Sequence, residues 1–111
     1  MDNAQRVAAR FSMAGRKALV TGGSLSIGRE IATAFAEAGA EVAIHHSRQA
    51  DMAFGKPDAA EEAVAALRSC GVRSLSIEAD FAQPREATRC VESAREAFGG
   101  LDVLVICASI Q

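Results

Sequence analysis

The run TGGSLSIG at residues 21–28 has the spacing of a loop that holds a phosphate. Gly22 lets the chain turn sharply out of a strand, and Gly28 lets the following helix pack hard against that strand. A small residue at the middle position lets backbone amides come close to a pyrophosphate. The free amides at the helix start then face the anion, and the helix dipole favours its charge. The expected contacts are Gly22, Ser24, Ser26, Ile27 and Gly28. Ser26 stands at the middle position, where such loops usually have glycine. Its side chain can impede the phosphate, or its hydroxyl can donate to it. If that position needs a positive φ, serine also adds strain there. Taken alone, the same glycines equally suit a merely tight strand–helix turn. Arg29, on the first turn of the helix, reads as a solvated surface arginine.

A second group lies about 20 residues past the glycines, where an acid at the end of the second strand normally accepts from the ribose hydroxyls. That place falls at His46, within the series His45, His46, Ser47 and Arg48, and the next acid is Asp51, in what reads as loop. A guanidinium and a hydroxyl, Arg48 and Ser47, suit a 2′-phosphate, which an acid would repel. The expectation is NADP rather than NAD. Leu25 counts against it, because a base often stands just before the middle glycine. Neighbouring strand residues point to opposite faces, so His45 and His46 cannot chelate one ion together, and no metal is expected. Cys107 ends the fourth strand, where a ligand crevice should open, and reads as a packed small residue rather than a reactive thiol. Two further residue types are absent or scarce: there is no tyrosine, and the lysines are Lys17 and Lys56 alone.

The elements that must position these residues follow from periodicity. KALVTG (17–22) reads as a buried strand. Ile27, Ile31, Phe35 and Ala38 recur at helical spacing and place an apolar stripe on the next helix, which Gly39 stops. EVAIHH (41–46) is a second strand, and the polar stretch from Ser47 to Pro57 is a loop. DAAEEAVAALRSCG (58–71) is a helix with Ala60, Ala63, Val64 and Leu67 inward, and VRSLSIEAD (72–80) is a third strand. Pro84 opens a helix to Phe98, with Gln83 as cap and Ala87, Val91, Ala94 and Phe98 inward. LDVLVICA (101–108) is the fourth strand. This alternation predicts a Rossmann-type doubly wound α/β fold with a parallel sheet in strand order 3-2-1-4.

The 111 residues are expected to form one domain, with residues 1–14 as a flexible tail. The net charge of −2 with interspersed signs argues against nucleic acid as a partner. No apolar run reaches the roughly 18 residues of a membrane helix, and the start lacks the apolar region of a secretory signal. Three scattered cysteines fit a reducing cytoplasm.

In three motifs the sequence resembles the short-chain dehydrogenase/reductase family. TGGSLSIG matches the family's TGxxxGIG except at Ser26, EADFAQ supplies an aspartate, Asp80, followed by Phe81, after the third strand, and GGLDVLV (99–105) matches the approach to the fourth strand. The resemblance spans nearly the whole chain but only about the first half of a family member. It implies an oxidoreductase that binds NAD(P)(H), with Asp80 beside the adenine ring. The family's NNAG stretch is replaced by Ile106, Cys107, Ala108 and Ser109, of which only the alanine is retained. The family's tyrosine, its lysine in YxxxK and its serine all lie beyond the fourth strand, so the resemblance implies no catalytic residue within this chain. The expectation is the dinucleotide-binding portion of such an enzyme, inactive by itself, with an apolar fourth-strand edge that recruits a companion segment or a second copy. The alternatives are a nucleotide-binding module without turnover and, less favoured, an S-adenosylmethionine methyltransferase, which usually has an acid where His46 stands.

Overall fold

The computed structural model describes residues 1–108. Four strands, β1 (Lys17–Thr21), β2 (Glu41–His46), β3 (Ser74–Glu78) and β4 (Val103–Ile106), form one parallel sheet in the order β3-β2-β1-β4. That is the topology expected from the alternation of strand and helix. The central strands are buried on both faces, which explains their near-continuous apolar runs: Ala18, Leu19, Val20, Val42, Ala43 and Ile44 are fully inaccessible.

Alternation along the strands builds two apolar layers. Val20, Val42 and Ile44 face helices α2 (Ser26–Glu37) and α4 (Ala59–Arg68) through Ala32, Ala36, Ala63, Val64 and Leu67. Leu19, Ala43 and Ile77 face α5 (Pro84–Phe98) through Cys90, Ala94 and Phe98. The inner face of α4 is the one its sequence predicts. On α5, Ala94 and Phe98 are buried as expected, but Cys90 is the third buried member. Pro84 opens that helix, Gln83 caps it without a side-chain hydrogen bond, and Gly99 closes it at φ 73°.

The expected stripe of α2 is rotated by about one residue. Gly28, Ala32 and Ala36 are buried, Ile31 and Phe35 are half-buried at the flank, and Ile27 is 70% exposed. The close approach of α2 to the sheet selects the small residues for its inner face. The large ones splay to the side, so hydrophobicity alone misplaces the centre of the stripe.

Two further helices stand where the sequence reading expects none. α3 (Arg48–Ala53) lies in the stretch read as loop, with Ser47 as N-cap accepting from the Ala50 amide at 3.3 Å. In the expected tail, α1 (Asn3–Arg10) is closed by a capping box between Asp2 and Gln5 and buries no residue. Local hydrogen bonds, rather than packing, account for α1.

The rotation of α2 separates two isoleucines by their surroundings. Ile44→Ala should cost about 3 kcal/mol as a core truncation. Ile27→Ser should change stability by less than about 0.5 kcal/mol. Urea unfolding midpoints measure both, and a large loss from Ile27→Ser would contradict the placement of the α2 face.

Candidate functional site

The glycine turn between β1 and α2 is held by three close approaches. A Cβ on Gly28 would overlap the carbonyl of Gly22. A Cβ on Gly22, whose φ is 65°, would lie 3.0 Å from the Ala108 nitrogen and 3.2 Å from the Cys107 carbonyl carbon. A Cβ on Gly23 would lie 2.7 Å from the Ile44 side chain. The first two account for the glycines that the spacing singles out. The need for Gly23 arises from a contact across the sheet, which spacing does not reveal.

Ser26 opens α2 at φ 52°, a positive φ on a non-glycine residue, and its side chain is exposed. The middle position therefore does demand the conformation in which serine is strained. Leu25 is the N-cap and supplies no side-chain acceptor. The amides of Ser26, Ile27 and Gly28 have no intrahelical acceptor, and the helix start faces the mouth of the turn with its partial positive charge.

The end of β2 grips this turn from two sides. His45 is 3% exposed. Its Nδ1 accepts from the Gly22 amide at 3.0 Å, and its carbonyl accepts from the Gly23 amide at 2.9 Å. Its Nε2 lies 2.9 Å from the Ala79 carbonyl, so the ring is the neutral tautomer with the proton on Nε2. The imidazole stacks on Phe81, with centroids 3.8 Å apart and planes 8° from parallel. Burial is the main cause that lowers its pKa from the ordinary 6.5. The Ala79 carbonyl, Glu78 and Asp51 work in the opposite sense, and His46 adds to the lowering.

On the other side, α3 turns Asp51 inward. Its carboxylate is buried, accepting from the Ser24 hydroxyl at 2.7 Å, and its second oxygen lies 3.4 Å from His46 Nδ1. Periodicity places Asp51 in a loop and places His45 at the end of the second strand without a contact to the turn, so both structural roles escape it. The available signal for Asp51 was Ser47, a capping residue one helical turn upstream of it and followed by helix formers. His45 bonds to Gly22 and Ala79, whereas His46 Nδ1 lies beside Asp51 without a hydrogen bond.

Of the other expected residues, Ser47, Asp80, Phe81 and Ala108 line one cleft of about 460 Å³ together with His45 and Ala50. Asp80 is exposed there, and its Oδ1 accepts from the Ala82 amide at 3.0 Å. Arg48 is exposed at the first position of α3, at the rim of this region rather than in the cleft lining. Cys107 is half-buried and packs against the α2/α4 core layer. The amides of Cys107 and Ala108 both donate to Thr21 Oγ1, at 3.0 and 3.3 Å, and that hydroxyl reaches the Val105 carbonyl at 3.4 Å. One threonine thus ties the ends of β1 and β4 at the place where the expected asparagines are missing. Ser109 lies outside the described residues. Away from the turn, burial pushes the Cys90 thiol up to about 11, consistent with an inert core residue.

A parallel sheet with helices on both faces, and a glycine turn opening a helix at the carboxyl end of its first strand, define a doubly wound domain of nucleotide-binding type. The family model of the short chain dehydrogenases matches residues 16–111, and the chain belongs to that family. Among curated relatives, the peroxisomal 2,4-dienoyl-CoA reductase of Arabidopsis thaliana is 38% identical over 95 residues, covering 86% of this chain and 29% of the relative. A short-chain type dehydrogenase/reductase of Picea abies is 38% identical over 104 residues, covering 88% of this chain and 36% of the relative. The chain therefore spans about a third of the length of these relatives. Among solved structures, a short chain dehydrogenase from Burkholderia cenocepacia J2315 in complex with NADP is 42% identical, with a TM-score of 0.79 over 88% of this chain and 37% of that one. A blue fluorescent protein from a metagenomic library, in complex with NADPH, is 34% identical, with a TM-score of 0.80 over 89% of this chain and 38% of that one.

The two unusual backbone positions of the turn should respond in opposite directions. Ser26→Gly relieves the positive φ and should raise stability by about 1 kcal/mol. Gly28→Ala drives a methyl group into the Gly22 carbonyl and should lower stability by about 2 kcal/mol or more. Denaturant midpoints of the two variants check both signs.

Proposed function

We propose that this chain binds a nicotinamide dinucleotide and forms the cofactor-binding part of an oxidoreductase acting on a carbonyl or alcohol. The observation that carries the reading is the turn in which Gly28 leaves no room for a Cβ against the Gly22 carbonyl, at a helix start without a side-chain cap. Side chains are cleared from the place where a pyrophosphate meets backbone amides. The amides of Ser26, Ile27 and Gly28 would hold the pyrophosphate, with the Ser26 hydroxyl as an added donor and Gly22 shaping the turn beneath them. Asp80, Phe81 and Ala108 in the cleft suit the adenosine end, with Asp80 accepting from the adenine amino group.

When bound, the dinucleotide supplies or accepts hydride at its nicotinamide ring. These 111 residues contain no tyrosine, so their own contribution is to bind and orient. Family membership removes the methyltransferase alternative. A module that binds nucleotide without turnover stays as the second reading, favoured by that same missing phenol.

NADP is preferred over NAD in this proposal. Arg48 is exposed at the rim, beside Ser47 and His46, and the nearby acid, Asp51, is turned away into its bond with Ser24. A 2′-phosphate would meet the guanidinium without facing that carboxylate. The NADP and NADPH in the two neighbours support this choice.

The same reading includes a companion for β4. Among the described residues β4 borders β1 alone, and Leu104 and Ile106 are 46% and 74% exposed. A further strand, from more of the chain or from a second copy, would satisfy that edge. We also place the protein in the cytoplasm. Cys70, Cys90 and Cys107 are free thiols, and no described helix is long and apolar enough to cross a membrane.

Titration with NADPH and NADH, followed by nicotinamide fluorescence, tests the binding reading, and no binding of either at millimolar concentration would sink it. Arg48→Ala should weaken NADPH about tenfold, the equivalent of one charge-assisted contact, and leave NADH unchanged. Equal losses for both would remove the NADP argument. Carbonyl reduction by residues 1–111 with NADPH should stay at background. Their sedimentation should give a mass that rises with concentration, and a sharply melting monomer would overturn the companion for β4.

A further inference from the structure

We propose that His45 is the positioning residue of the phosphate turn and that acid releases it: protonation of Nδ1 breaks the bond to the Gly22 amide and lowers dinucleotide affinity. This rests on the cofactor reading above and adds a regulator to the same site.

The geometry leaves a second proton no place. Nδ1 faces the Gly22 N–H at 3.0 Å, and Nε2 already donates to the Ala79 carbonyl at 2.9 Å. In the imidazolium, a donor would face a donor at Nδ1. The ring cannot swing easily to escape, because Phe81 covers one face at 3.8 Å and the residue is 3% exposed. The Gly22 peptide must then move. Its carbonyl lies against Gly28, so the movement reaches the first turn of α2, whose amides the phosphate uses.

The titratable groups around the ring come from three elements: His46 on its own strand, Glu78 at the end of β3, and Asp51 on α3. On the α5 side, Arg89 donates to the Glu78 carbonyl and to Glu86, and no charged group contacts Nδ1 from the glycine turn itself. Glu78 and Asp51 favour the cation, but burial outweighs them, and the ring stays neutral to a lower pH than the ordinary 6.5. The sign follows. The unfolded chain takes up its proton first, so the stabilising contribution of neutral His45 is complete above that ordinary value. It is lost as the pH falls through the lowered one.

The test is NAD⁺ affinity by calorimetry at about pH 7.5 and about pH 5.5, a window in which histidine is the side chain that titrates. NAD⁺ is the probe because it has no 2′-phosphate to titrate. The chain should bind NAD⁺ more weakly at the lower pH, in proportion to the fraction of turns released. His45→Asn keeps an acceptor near the Nδ1 position and has no proton to gain, so its affinity should be the same at both pH values. His46 is present in both proteins, so the comparison isolates His45. Equal pH dependence in the two would overturn the proposal.

A second measurement on the unaltered chain needs neither ligand nor variant. The Gly22 amide resonance should titrate together with the His45 ring nitrogens in NMR spectra. A Gly22 amide that does not shift while His45 protonates would overturn the proposal. If NAD⁺ fails to bind at any pH while the two resonances do titrate together, the cofactor reading fails and the His45 latch stands.

Discussion

The contact between the Gly22 carbonyl and the bare Cα of Gly28 governs the rest of the site. It sets how closely the first turn of α2 can sit on the end of β1. That distance explains the rotation of α2, since Ala32 and Ala36 continue the same face and a larger residue there would hold the helix away. It also explains the strain at Ser26, because a chain folded this tightly must reverse through positive φ before the helix can start. A fraction of the stability gained in the two core layers is thereby spent on one serine.

Around that contact, neighbouring elements close from several directions. β2 contributes His45 to Gly22 and Gly23, α3 contributes Asp51 to Ser24, and the end of β4 lies over Gly22 through Ala108. Each partner satisfies a polar group or fills a space that the tight turn creates. Several polar groups of the loop are therefore committed to the protein itself: the Ser24 hydroxyl and the amides of Gly22 and Gly23 all face inward. What remains for an anion is the start of α2. This division leaves the amides at the start of α2 as the outward donors of the turn.

Much of the architecture was legible in the sequence because it depends on pattern. Four apolar runs separated by amphipathic segments specify a parallel sheet, and the strand order follows from right-handed crossovers. The turn glycines were legible because backbone conformation restricts residue type directly. The family was legible in three short motifs. What stayed hidden depends on through-space contacts. Nothing in the spacing of His45, Gly22 and Ala79 announces that one imidazole bridges two strand ends. Asp51 was hidden by α3, whose six residues are too few to show a helical period. α1 was missed because it has no inner face to leave a pattern. The stripe of α2 was shifted because large apolar residues dominate a hydrophobic count, even where a close contact selects alanine.

The pairing of β1 with β4 has a kinetic consequence. Thr21 bonds to Cys107 at a separation of 86 positions in the chain, and Lys17 bonds to Asp102 at a separation of 85. Contacts so distant in sequence form late, after the loop between them has been closed at an entropic cost. β1, α2 and β2 are neighbours in sequence and can associate early, but one wall of the turn is supplied by Cys107 and Ala108. On a ribosome that wall does not exist until almost all of these residues have been made. The glycine turn is therefore encoded near residue 22 and completed near residue 108, so its assembly reports that β4 has docked on β1.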